Sequence, residues 1–149
     1  MKVSEIAAAV GRGVVAGVIG TAAMTVASTA EMKIRGRAPS SAPARAAAKV
    51  LRIEPADEAD EARFSTMVHW AYGTSWGVVR GLLGALGLRG ATGASAHFAL
   101  VWGTELTMLP ALGVAPPVPQ WGTKEVAIDA VHHLVYATAT SVAYRWLDR

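Results

Sequence analysis

Charge is almost absent from four long stretches of this chain, and that distribution limits its fold more than any single motif does. Gly13 to Ala30, Phe64 to Val79 and Ala130 to Tyr144 carry no charged residue, and Gly90 to Thr123 carries only Glu105. A helix needs about 20 predominantly apolar residues to cross a bilayer, and each stretch reaches that length with a few flanking residues. The sequence therefore predicts an all-α fold, an integral membrane four-helix bundle. Its spans lie near residues 11–31, 64–88, 91–110 and 125–146, in a single membrane domain over 1–149 with a polar loop at 32–63. The competing fold is a soluble bundle rich in Ala and Gly. Such a bundle needs a charged face on every helix, and these stretches lack charge through whole turns. With 52% of residues hydrophobic and 17% charged, the composition favours the membrane class. The chain has no cysteine, which excludes disulfides and thiolate metal sites.

Within Phe64 to Leu88, His69, Tyr72, Trp76 and Arg80 recur at helical spacing on one side, with Gly73, Gly77 and Gly81 between them. Lipid offers His and Arg no partner, so this side faces protein or water, and the glycines admit a neighbouring backbone at close range. Gly13 and Gly17 give the first span the same property, so the first and second spans are expected to pack through these glycines.

Lys33, Arg35 and Arg37 follow the first span, and Pro39 and Pro43 then break the chain. A short helix over Ala44 to Ile53 places Arg45, Lys49 and Arg52 on one side. It suits either an anionic headgroup surface or a solvated linker. Pro55 and the acids Asp57, Glu58, Asp60 and Glu61 start the second long helix near Ala56. The third span ends at Pro110, and Thr123 is placed to cap the last helix. Loops 31–63 and 110–124 share one face, side B, which collects most of the basic residues. The positive-inside rule puts side B in the cytoplasm and both termini, on side A, outside.

Following the chain through four crossings places the polar residues by depth. Glu31, His69, Tyr72, Glu105, Asp129, His132, His133 and Tyr136 form a layer toward side B, to which all four helices contribute. Arg80, His97 and Tyr144 form a second cluster toward side A. The layer admits three readings. His69, Glu105, His132 and His133 make a ligand set for a divalent metal, and His69 facing one of the two adjacent histidines would suit a haem, a lesser alternative. His, Glu, Asp and Tyr in one layer also suit a proton or ion path. Interhelical hydrogen bonds of roughly 1 kcal/mol each would make the layer structural.

No nucleophile with a paired base, phosphate loop or nucleotide fingerprint is present, so an enzyme is not expected. Basic residues lie in loops rather than interleaved with aromatics, which excludes nucleic acid as a partner. The expected partners are the lipid bilayer and either a second copy of the chain or another membrane protein. The expected function is transport of a proton, ion or small solute. The alternatives are an accessory subunit of a membrane complex and a metal- or haem-binding membrane protein.

Two internal echoes suggest duplicated helical hairpins. His69, Tyr72 and Thr74 share their spacing with His133, Tyr136 and Thr138, and Val18-Ile19-Gly20-Thr21 parallels Val101-Trp102-Gly103-Thr104. The phrases GVIGTAAMT (17–25), MVHWAYG (67–73) and VHHLVYA (131–137) resemble the small bacterial inner-membrane proteins of unknown function related to YagU. The resemblance touches three of the four spans and implies a multi-pass protein of the bacterial cytoplasmic membrane. It carries over no catalytic residue.

Overall fold

A computed structural model describes residues 2–149, and every regular element in it is helical. The helices are α1 (Val3–Arg35), α2 (Ala42–Leu51), α3 (Glu58–Ala85), α4 (Gly90–Ala111) and α5 (Thr123–Leu147), with a single 3-10 turn at Val118–Gln120. The four long helices run alternately up and down. Arg35 at the end of α1 meets Glu125 at the start of α5, while Arg12 near the start of α1 pairs with Asp148 just beyond α5.

α1 packs along both α3 and α5, and its small residues are the reason. Gly13, Gly17 and Gly20 are buried on α1, and Gly77, Gly81 and Gly84 on α3. A Cβ at Gly17 would lie 2.7 Å from the Thr74 carbonyl oxygen and 2.9 Å from Gly77 Cα; one at Gly77 would lie 2.7 Å from Gly17 Cα. Only hydrogen fits there, so the two backbones are in direct contact. On the other side of α1, Gly20 makes room for Tyr136 and Thr140 of α5.

Helix boundaries follow local chemistry. Gly36, at φ 63°, ends α1 in the left-handed region that glycine tolerates. α3 starts at Glu58 rather than Ala56, because the Asp57 side chain accepts from the Asp60 backbone N–H at 2.8 Å. Thr123 is the first residue of α5 and not its cap. That position falls to Gly122, whose φ of 83° again suits glycine. α2 is the short helix expected here, with Arg45 and Lys49 exposed. It crosses the side B end of the bundle against α3 and α4, where Lys49 Nζ donates to the Leu112 carbonyl (2.5 Å) and Arg45 to the Val114 carbonyl (3.0 Å). Its cations serve carbonyls that α4 and the turn after it leave unpaired.

The packing is not that of two equal hairpins. α1 lies tightly against α3 and α5, whereas α4 leans on α5 and only lightly on α3. The glycine seam between α1 and α3 has no counterpart between α4 and α5, since a Cβ at Gly103 would meet nothing within 4 Å. The sequence echoes therefore do not extend to equivalent contacts.

The interior mixes apolar residues, Val101, Leu109, Tyr136 and Tyr144 among them, with buried polar ones. The largest fully buried side chains are Arg80, His97, Thr21 and Thr140, while Val15, Ile19, Leu82, Leu100, Leu134 and Val142 are exposed. Among the described helices, α1 alone is both long and apolar enough to cross a membrane by length and composition, with a mean hydropathy of 1.7 over its best stretch. α3, α4 and α5 exceed the necessary length, but each spends part of its circumference on polar interior residues.

Candidate cation-binding cavity

Between α1, α3, α4 and α5, beneath α2, lies a cavity of about 660 Å³. Thr25, His69 and Tyr72 line one wall, Glu105, Asp129 and His133 the other. Pro43, Ala47 and Val50 of α2 and its approach cover the side B end.

The second wall holds the closest group of ionisable side chains. His133 Nε2 stands 2.5 Å from Glu105 Oε2, and Asp129 Oδ1 lies 3.6 Å from His133 Nδ1. One ligand atom from each of Glu105, Asp129 and His133 falls within 4.8 Å of the others. Their elements explain the convergence. Asp129 and His133 are one helical turn apart on α5, and Glu105 comes from α4, the helix that leans on α5. His133 Nδ1 is 3.0 Å from the Asp129 carbonyl oxygen, which can only accept, so Nδ1 carries a proton and donates it. Trp102 Nε1–H donates to Asp129 Oδ2 at 2.8 Å, fixing that carboxylate and leaving Oδ1 free.

The remaining residues of the expected layer have other partners. His69 Nε2 lies 2.8 Å from Thr25 Oγ1. That hydroxyl already donates to the Thr21 carbonyl, so His69 is the donor. His132 lines the cavity without joining the cluster. Glu31 leaves the layer altogether: it binds Arg35 (2.9 Å) and Arg37, the arginines just after it, because the turn at Gly36 brings Arg37 back over the helix end. Glu125 and Glu31 together hold the Arg35 guanidinium above the usual arginine range. Tyr72 lines the cavity edge-on to Trp76 at 6.1 Å, and Tyr136 donates to the Gly73 carbonyl at 2.5 Å, joining α5 to α3.

The second cluster also separates into two contacts. Arg80, 2% exposed, donates from Nε to Ser141 Oγ (3.1 Å) and lies 4.5 Å over the Tyr144 ring. His97, fully buried, donates Nε2–H to the Trp76 carbonyl (3.0 Å) and packs its ring 5.6 Å from that of Tyr136. Sequence reasoning missed Trp102, Thr25 and Ser141, the partners of Asp129, His69 and Arg80. Trp102 stands three residues before Glu105 on the same side of α4, a spacing that would have pointed to it.

No protein-family model, curated protein or solved structure matches the chain.

Proposed function

We propose that the chain is a multi-pass integral membrane protein in which α1, α3, α4 and α5 each cross the bilayer, and that its interior takes up a small cation from side B for transport. The observation that carries this reading is the burial pattern: Arg80, His97, Thr21 and Thr140 are the largest fully buried side chains, while Val15, Ile19, Leu82, Leu100, Leu134 and Val142 are exposed. In water this arrangement forfeits the hydrophobic driving force and buries polar groups at a cost. In lipid the apolar exterior is favoured, and the interior gives Arg80 and His97 a partner each, Ser141 and the Trp76 carbonyl. The ionic ends agree with a bilayer. Arg12 and Arg35 on α1 are as far apart in sequence as Glu125 and Asp148 on α5, a rise of about 35 Å. The hydrocarbon core is about 30 Å thick. The YagU-like phrases support the same placement and the bacterial cytoplasmic membrane.

Alkaline carbonate extraction and reporter fusions test the reading. We expect the chain to stay in the membrane pellet, with fusions after Gly113 reporting cytoplasm and fusions after Arg149 reporting the opposite side. Release of the chain by carbonate refutes the membrane assignment. Fusions at the two positions reporting the same side refute the count of crossings.

A further inference from the structure

We propose that Glu105, Asp129 and His133 form a three-ligand site for a divalent transition metal ion, whose open coordination positions face the cavity. The inference rests on the membrane reading above, because the cost of unbalanced charge is largest in an interior shielded by lipid. Three observations lead to it.

The first is a conflict of donors. With Nδ1–H committed to the Asp129 carbonyl, Nε2 of a neutral His133 presents a lone pair, and the Glu105 carboxylate facing it at 2.5 Å presents another. Two acceptors at that distance need a proton between them, and a metal ion takes its place as the pair opens to about 3.4 Å.

The second is charge. A proton there makes His133 cationic against two carboxylates and leaves the group at minus one. Among the described residues no Lys or Arg reaches Glu105 or Asp129. Arg35 and Arg37, the nearest cations by sequence to this end of α1, are engaged by Glu31 and Glu125. A divalent ion neutralises both carboxylates and leaves His133 neutral, so the group balances at zero.

The third is the outer support. Metal-bound histidines donate their other ring N–H to a carbonyl or carboxylate, and bound carboxylates are themselves hydrogen-bonded. Here the Asp129 carbonyl holds Nδ1–H, and the Trp102 indole holds Oδ2 while Oδ1 stays available. One nitrogen and two carboxylate oxygens suit zinc, manganese, iron or cobalt rather than copper(I) or calcium. Ligand atoms about 2.1 Å from such an ion stand roughly 3.4 Å from one another. The Glu105 contact therefore opens by about 1 Å, and separations within 4.8 Å close by up to about 1.4 Å. His69 stands outside the group whose ligand atoms converge, and its Nε2 donates to Thr25.

The test uses the full-length chain without a histidine tag, stripped with chelator in mild detergent and titrated with Co²⁺. We expect one ion per chain, visible as d–d absorption and displaced by Zn²⁺. Affinity should fall at least tenfold in Glu105→Gln, Asp129→Asn and His133→Ala, and should be unchanged in Glu58→Gln, at the start of α3 and outside the cavity. Circular dichroism checks that each variant stays helical. Glu105→Gln and Asp129→Asn keep side-chain shape, so they decide the matter if His133→Ala does not fold. Absence of stoichiometric Co²⁺ binding overturns the metal site, and so does wild-type affinity in both Glu105→Gln and Asp129→Asn. If Co²⁺ fails to bind while the chain inserts with alternating topology, the metal inference falls and the membrane reading stands. If the chain binds one Co²⁺ but is released by carbonate, the site stands and the membrane reading falls.

Discussion

Adding a single methyl group at Gly77 tests the packing by the sign of its effect. In a helix that faces lipid or solvent, Gly→Ala raises helix propensity and stabilises by up to about 1 kcal/mol. At Gly77 the new Cβ would stand 2.7 Å from Gly17 Cα and 2.8 Å from Gly17 N. Carbon atoms at ordinary contact are about 3.5–4.0 Å apart, so α1 and α3 must part by roughly 1 Å. Overpacking of this kind costs about 1–3 kcal/mol. Separation also weakens the neighbouring contacts at Gly13, Gly17 and Gly81, where close Cα–H to carbonyl approaches contribute about 0.5–1 kcal/mol each. Setting the propensity gain against these losses leaves Gly77→Ala destabilised by about 2 kcal/mol, and Gly77→Leu by more. Gly103 supplies the control, because a Cβ there meets nothing within 4 Å. Gly103→Ala should gain up to about 1 kcal/mol. Unfolding of the purified protein in mixed micelles, followed by circular dichroism against rising SDS, measures both variants. If Gly77→Ala is as stable as the parent, or more stable, α1 and α3 do not meet through these glycines and the bundle is assembled differently.

Two further outcomes follow from the cavity and its cover. Because α2 is held by Lys49 and Arg45 on the carbonyls of Leu112 and Val114, the double change Arg45→Ala, Lys49→Ala should loosen it. A cysteine introduced at Tyr72 of this cysteine-free chain should then react several-fold faster with a hydrophilic maleimide applied from side B; an unchanged rate would mean that α2 does not control access. His69→Ala removes one interhelical hydrogen bond to Thr25 and should cost roughly 1 kcal/mol in the same SDS titration, whereas His69→Gln, which keeps a donor, should cost less. Equal losses in the two variants would show that the bond to Thr25 contributes nothing.

Much of the interior was legible in the sequence because helical periodicity is a local rule. His133, Tyr136, Thr140 and Tyr144 follow one another at three or four residues, so wherever α5 turns they share a side, and all four are buried. Height along the bundle was legible for Glu105, Asp129 and His133, which meet, because the rise per residue is constant. What a single helix does not encode is the direction in which each polar group points across the bundle. His132 and His133 are adjacent and both buried, and the rotation of α5 against α4 sends only His133 to Glu105. Glu31 stands at the right height for the layer, yet Arg35 is one turn away on its own helix. That local pair engages the carboxylate on its own helix. His69 likewise has the right height and turns to α1.

The polar side chains that line the cavity also lower the mean hydropathy of the helices that carry them. Each of α3, α4 and α5 gives up apolar length to carry side chains such as Arg80, Glu105 or His133 inward, so an average taken around the helix mixes the face turned to the interior with the face turned outward. α1 escapes this because its inward surface is made of Gly, Ala and Thr, which are nearly neutral in hydropathy and leave the average to its valines and isoleucines. A bundle that gathers its polar chemistry at the centre must look less like a membrane protein, helix by helix, in proportion to how much chemistry each helix contributes.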